Sequence, residues 1–100
     1  ENLVILEILK KRINQGLPPN LYFWRDRGGH EVDLICEWGG NIHAIEIKFS
    51  STLQNDFLKN VKYFQTLSPT TKGYLIYNGK QDGLFTDIEI VPLEKLAQLF

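Results

Sequence analysis

Two carboxylates and a lysine stand within the segment that has the strongest strand pattern, GGHEVDLICEWGGNIHAIEIKFSS at residues 28–51. Asp33 lies in its first half, and Glu46 and Lys48 follow in the second half as Glu-Ile-Lys. Charged side chains are rarely left in apolar segments without a partner, a metal or a chemical task. Two carboxylates can hold a hard divalent cation such as Mg²⁺, and a nearby lysine can orient water and stabilise charge on a phosphate. The residue types therefore predict a candidate site for phosphodiester chemistry.

Two predicted strands carry these side chains. Residues 31–38 and 41–49 have strand patterns and are joined by Gly-Gly at 39–40, which is a hairpin signal. Successive side chains of a strand point to opposite faces, so Glu46 and Lys48 point the same way, about 6–7 Å apart.

Antiparallel pairing of this hairpin would bring Asp33 onto the face of Glu46 and Lys48. Strict alternation places Val32 and Leu34 together on the opposite face. The alternative is that the charged residues are ordinary cross-strand pairs on an exposed sheet face, which are common. The pattern alone leaves both interpretations open.

Helical spacing of apolar residues predicts the helices, and short apolar or alternating runs between turn residues predict the strands. The predicted order is a helix at 2–15, strands at 21–26, 31–38 and 41–49, a helix that begins with a capping box at Ser51 and Gln54, a strand at 73–77, an edge strand at 87–91 and a final helix at 92–100. The strand after the second main helix requires a crossover, so the sheet is predicted to be mixed. The fold class is therefore α/β, with the order α-β-β-β-α-β and helices that flank a central sheet.

Length and composition are those of one domain that spans residues 1–100, with 43% hydrophobic residues and a net charge of −1. The near-neutral charge counts against strong non-specific binding of nucleic acid. A single cysteine, Cys36, predicts a reducing, cytoplasmic setting and a buried thiol. His30 and His43 lack the spacing of zinc ligands. Because the sequence begins with Glu and has no Met, we expect a fragment of a longer protein.

Local basic residues are the candidates for contact with nucleic acid. Arg25 and Arg27 flank the turn before Asp33 and are predicted to meet a phosphate backbone. Residues 10–12 are also basic, but the last turn of a helix favours such residues through its dipole, and a structural role is preferred for them. No apolar run has the length of a membrane span, so no membrane association is expected.

The element order, with an acid in the first helix, Asp on the second strand and Glu-x-Lys on the third, resembles the PD-(D/E)XK nuclease superfamily. More closely, ENLVILEILKKR, YFWRDRGGHEVDLI and IHAIEIKFSS are similar to the carboxy-terminal domain of unknown function of many predicted prokaryotic AAA+ ATPases. This resemblance covers most of residues 1–78. It implies a restriction-endonuclease-like fold, attached to an amino-terminal ATPase portion of the same chain.

By the same resemblance, the site residues are Glu1, Asp33, Glu46 and Lys48. Asp33 and Glu46 would hold Mg²⁺ or Mn²⁺, Glu1 would assist, and Lys48 would position the attacking water. Val32 stands where the superfamily's name has Pro. The implied function is Mg²⁺-dependent hydrolysis of nucleic acid. The alternatives are a non-catalytic module that binds nucleic acid or protein and directs the ATPase, and an interaction domain whose acid–lysine cluster is structural.

Overall fold

The computed structural model describes residues 2–98, which form a mixed α/β domain. In chain order the elements are α1 (Asn2–Asn14), β1 (Leu21–Arg25), β2 (Glu31–Trp38), β3 (Asn41–Lys48), a 3-10 helix (Asn55–Leu58), α2 (Lys59–Leu67), β4 (Lys72–Tyr77), β5 (Gly83–Phe85), β6 (Ile88–Pro92) and a second 3-10 helix (Leu93–Gln98). The predicted order of the first six main elements is thus confirmed.

The six strands form one sheet in the order β1-β2-β3-β4-β6-β5. Strands β1, β2 and β3 are antiparallel neighbours, β3, β4 and β6 run parallel, and β5 returns antiparallel to β6. The β2–β3 hairpin turns through Gly39 and Gly40, whose φ angles of +60° and +81° suit glycine. The α2 crossover makes β4 parallel to β3, so the mixed sheet is confirmed.

Each face of the sheet carries its own apolar core. The first core, on the α1 face, consists of Val4, Ile8, Leu34, Cys36, Ile45, Ile47, Tyr74, Ile76, Val91 and Leu96. The second core, on the α2 face, consists of Val32, Ala44, Leu58, Val61, Phe64, Leu75, Tyr77, Ile88 and Ile90. Strands β3 and β4 are therefore covered on both faces, as expected for strands with parallel neighbours.

A β-bulge interrupts the alternation of β2. Tyr22 of β1 pairs with Ile35 and Trp24 pairs with Val32, so two steps on β1 oppose three steps on β2. Val32 therefore packs into the second core, whereas Leu34 packs into the first. The prediction that Val32 and Leu34 share a face is wrong, because the bulge inserts an extra residue between them.

The predicted capping box at Ser51 is wrong. Ser51 lies in a bend, and the first helical residue is Asn55, in the 3-10 helix. The Ser50 hydroxyl accepts a hydrogen bond from the Thr52 N–H (3.2 Å) and donates one to the Thr52 carbonyl (3.0 Å). These local bonds hold the chain in a turn and compete with helix formation.

The carboxy-terminal part also differs from the prediction. Pro92, predicted as the first residue of an α-helix, pairs with Tyr77 as the last residue of β6, and a 3-10 helix follows. Strand β6 lies inside the sheet because β5 pairs with its outer side. The β5–β6 turn uses Thr86 and Asp87 at φ +45° and +64°, where glycine is the usual signal, so the sequence did not predict β5.

Candidate active site

Asp33 and Glu46 meet across the β2–β3 hairpin on the α2 face of the sheet. The Ile47 N–H donates a hydrogen bond to Asp33 Oδ2 (2.9 Å), and the Asp33 N–H donates one to Glu46 Oε1 (3.4 Å). Glu46 lies beside Leu75 of the second core and is only 5% exposed, while Asp33 is half-buried. The structure therefore brings together the two carboxyl groups that the sequence pattern singled out.

The hairpin register sets Asp33 opposite Glu46, and the bulge lies next to this position. The regular β2–β3 ladder extends from the hairpin as far as the Leu34–Ile45 pair. Beyond that pair, Asp33 replaces part of the backbone ladder with its side chain, which takes the N–H of Ile47. Bulges often re-aim a side chain beside an active site, and here the bulge is next to the carboxyl pair.

Burial raises the pKa of Glu46 to about 8, and a hydrogen bond to the Asp33 carboxyl and the charge of that group act in the same direction. The charge of Lys48 and the Asp33 N–H partly offset this rise. At neutral pH the Glu46 carboxyl therefore keeps a proton, which it donates to Asp33. Two adjacent carboxylates cannot both ionise cheaply, which is why one proton remains.

Lys48 completes the cluster from the same strand. It follows Glu46 by two residues, so both side chains point to the α2 face. Its ammonium lies 5.6 Å from the ring centroid of Phe57, in the first 3-10 helix. The ring and the half-buried position orient the ammonium, and its charge acts on Glu46. The sequence pattern did not predict this contact, because Phe57 and Lys48 lie in different elements.

The donor set fits a hard cation. Each carboxyl group uses one oxygen for a backbone N–H, and both belong to the oxygen-donor class that Mg²⁺ and Mn²⁺ prefer. Within residues 2–98 there is no group of three or more His, Cys, Asp or Glu side chains placed to hold a metal. Mg²⁺ is commonly held by one or two carboxylates and completed by water and phosphate. Glu1, predicted as the assisting acid, lies outside the described residues.

The two predicted nucleic-acid contacts lie before β2. Arg25 ends β1 and places its Nε 3.3 Å from Glu31 Oε1, with the side chain 67% exposed. Arg27 is exposed in the turn that leads to β2. Asp26 anchors this turn by accepting hydrogen bonds from the His30 N–H (2.9 Å) and from its ring Nδ1 (3.0 Å).

Sequence reasoning missed the role of His30. Its ring stacks on Tyr63 of α2 with centroids 3.7 Å apart and planes within 8°. The ring centroid of Trp24, in β1, lies 6.3 Å from that of Tyr63. These rings tie the β1–β2 turn to α2. The available sequence signal was the Asp at position 26 before a Gly-Gly pair, a turn that Asp commonly caps with its own side chain.

Arg12 is a structural residue of the hairpin. Only 2% exposed, it donates hydrogen bonds from Nε to the Pro18 carbonyl (2.8 Å) and from Nη1 to the Glu37 carbonyl. Its guanidinium lies 5.3 Å from the centroid of the Trp38 ring. The preferred structural role is confirmed for Arg12, although these bonds, rather than the helix dipole, account for its burial.

Cys36 and His43 are buried in the same region. Cys36 is 1% exposed, and burial raises the pKa of its thiol to about 11, so the predicted buried thiol is confirmed. His43 is hydrogen-bonded to the Tyr74 hydroxyl (3.0 Å) and the Trp38 carbonyl (3.2 Å), which occupies both ring nitrogens.

Fold and site together define a mixed-sheet α/β domain with a buried carboxyl pair and a lysine on one face. The chain belongs to the family described as Domain of unknown function (DUF4143), which matches residues 1–96. Neither the curated proteins nor the solved structures contain a match. Among the described residues, none of the helices has both the length and the apolar character needed to cross a bilayer. The family assignment confirms the domain-of-unknown-function part of the resemblance; the ATPase context and the restriction-endonuclease-like fold stay predictions.

Proposed function

We propose that this domain is the nuclease-like part of a cytoplasmic AAA+ ATPase and hydrolyses phosphodiester bonds of nucleic acid with the help of Mg²⁺ or Mn²⁺. The observation that carries the proposal is the contact of Asp33 with Glu46 on the sheet face that also carries Lys48. A buried pair of carboxyls that share a proton is an unfavourable arrangement for structure alone, since apolar residues of similar size would avoid the cost.

Each residue has a role that follows from its surroundings. Asp33 and Glu46 would hold the cation, which supplies stabilisation of the charge that develops on the phosphate. Glu46 would release its proton to solvent on binding, because a cation and a proton compete for the same oxygens. Lys48, oriented by Phe57, would position water and add positive charge next to the phosphate. Glu1 would assist, as the resemblance implies.

A second candidate function is a non-catalytic module that directs the ATPase. The protonated state of Glu46 favours it, because a shared proton holds Asp33 and Glu46 together without any cation. The two proposals differ in whether a cation replaces that proton at working pH.

Thermal unfolding with Mn²⁺ or Mg²⁺ separates the two proposals. A cation that binds only the native state adds about 1.4 kcal/mol at ten times its Kd. For a chain of this size the increment corresponds to roughly 5–10 °C in Tm. We expect Asp33→Asn and Glu46→Gln to abolish the increment, and Glu37→Gln, an exposed carboxylate of the same strand, to retain it.

Hydrolysis of a labelled oligonucleotide by the same four proteins and by Lys48→Gln provides the second measurement. We expect Mn²⁺-dependent cleavage by the wild type and Glu37→Gln, and loss of cleavage in Asp33→Asn, Glu46→Gln and Lys48→Gln. An unchanged Tm in saturating Mn²⁺ would contradict the metal site. An increment in Tm without cleavage would favour the non-catalytic module.

A further inference from the structure

A cavity on the α2 side of the sheet is lined by two lysines and a histidine. Its volume is about 560 Å³, and α2 and the β1–β2 turn form its walls. The lining residues are Gly28, Gly29, His30, Lys59, Asn60, Lys62, Tyr63 and Thr66. Of these described residues none is acidic, although the whole chain has a net charge of −1. The wall therefore offers two lysines to an anionic ligand. The Lys62 ammonium lies 5.6 Å from the ring centroid of Phe85, which is exposed and outside the lining, so a phosphate has to draw this side chain from an exposed contact.

The helical period of α2 places both lysines on the same side. Val61 and Phe64 face the sheet and are buried, whereas Lys59, Lys62 and Thr66 follow one another on the outer face. Lys59 Nζ lies 3.4 Å from Asp56 Oδ1, but both side chains are about 70% exposed. An exposed pair of this kind is worth at most about 1 kcal/mol, so a phosphate can compete for the lysine.

The cavity lies close to the carboxyl pair. His30, on its wall, precedes Asp33 by three residues along β2, a distance of about 10 Å. Both lie on the side of the sheet that α2 covers, since the His30 ring stacks on Tyr63 of α2 and Asp33 is hydrogen-bonded to Glu46, which lies beside Leu75 of the second core. A nucleic-acid strand held in the cavity could therefore extend to Asp33 without crossing the sheet.

We propose that Lys59 and Lys62 bind the phosphate backbone of a nucleic-acid strand in this cavity and so position the strand at the carboxyl pair. The stacked His30 and Tyr63 rings line the cavity and hold the β1–β2 turn against α2. Arg27 stands next to the glycines of the wall and adds to the same positive surface. This inference rests on the proposed function, because nucleic acid is taken as the ligand.

Binding can be measured by the fluorescence anisotropy of a labelled single-stranded DNA. A length of about 20 nucleotides exceeds typical single-strand binding sites. EDTA removes divalent cations, so that the DNA is bound but not cleaved. Each contact with a single-strand phosphate contributes about 0.7 to the salt slope, so at 0.1 M salt each contact is worth about fivefold. We expect Lys59→Gln with Lys62→Gln to bind about 25-fold more weakly and to lower the slope by about 1.4.

Lys10→Gln is the matched control. Lys10 forms the same i,i+3 pair, with Glu7 at 3.6 Å, and is 71% exposed, but it lies on α1 at the other face of the sheet. We expect the affinity of Lys10→Gln for the DNA and the salt slope of its binding to equal those of the wild type. Equal losses in the control and the double variant, or no binding by the wild type at low salt, would overturn the inference.

A comparison of binding with cleavage keeps this result separate from the proposed activity. Glu37→Gln, which lies outside both the cavity lining and the carboxyl pair, should bind the DNA in EDTA as well as the wild type. If no protein cleaves DNA but the double lysine variant still loses binding, the cavity is supported and the hydrolytic proposal fails. If the wild type cleaves and the double variant retains affinity, the cavity is refuted and the hydrolytic proposal stands.

Discussion

The pH dependence of stability offers a direct test of the carboxyl pair, because folding raises the pKa of Glu46. Its pKa rises from 4.5 to about 8 on folding, chiefly through burial. Between these values the native state holds a proton that the unfolded state has released. Glu46 therefore contributes stability that is fully present below pH 4.5 and is lost as pH rises towards 8.

The magnitude follows from the same values. Each pH unit in this window removes about 1.4 kcal/mol, so roughly 3 kcal/mol disappears between about pH 5.5 and 8. That is a large part of the 5–15 kcal/mol that typically holds a domain together. Glu46→Gln removes the titrating group but keeps an amide that can donate to the Asp33 carboxylate and accept from the Asp33 N–H. We therefore compare the free energy of unfolding of the variant with that of the wild type. This difference should favour the variant by about 3 kcal/mol more at pH 8 than at pH 5.5.

Urea unfolding at a series of pH values measures the difference between wild type and Glu46→Gln. His43 titrates in the opposite sense: burial lowers its pKa, so its contribution is lost as pH falls below 6.5. Since His43 is present in both proteins, its contribution cancels in the difference. A difference that stays constant from pH 5.5 to 8 would refute the shared-proton account of the site.

Two core contacts allow shorter tests by urea unfolding. Arg12→Met keeps the aliphatic bulk but leaves the Pro18 and Glu37 carbonyls without their donor, so we expect the free energy of unfolding to fall by about 2–4 kcal/mol. The exposed Lys10→Met should cost less than about 0.5 kcal/mol, and a loss below about 1 kcal/mol for Arg12→Met would contradict the structural role of Arg12. Gly73→Ala would place a Cβ 2.7 Å from Val61 Cγ1, so we expect a cost of about 1–3 kcal/mol. Thr70→Ala, at an exposed position nearby, is the control for Gly73→Ala. Equal stabilities of the two variants would contradict the close packing of α2 on β4 at Gly73.

Local patterns were sufficient for most elements of this fold. Strand β2 has the bounds that alternation and the flanking glycines predict, and β3 and α1 each end one residue early. The Gly39-Gly40 turn fixed the register of the hairpin, because a two-residue turn with positive φ angles aligns its strands uniquely. Hence the pairing that brings Asp33 to Glu46 could be predicted from a short stretch of sequence.

Features set by tertiary contacts could not be predicted in this way. The start of α2 was misplaced because Ser50, rather than Ser51, directs the local hydrogen bonds. Strand β5 was missed because its turn places Thr86 and Asp87 in a backbone region that such residues rarely adopt. The basic cavity was missed because its two walls, α2 and the β1–β2 turn, are far apart in sequence and only the fold joins them.

The bulge in β2 shows why residue types alone leave the site ambiguous. With strict alternation, Asp33 would be one of several charged residues on the face opposite Val32. The extra residue instead turns Val32 into the core beneath α2 and leaves Asp33 at the end of the ladder, where its carboxyl takes a backbone N–H of β3. A surface ion pair needs no such interruption, because regular strands already place cross-strand neighbours side by side. The hairpin register alone already sets Asp33 opposite Glu46, as the continuation of the Leu34–Ile45 pair. What the interruption adds is the hydrogen bond from the Ile47 N–H to the Asp33 carboxyl, which holds that carboxyl beside Glu46.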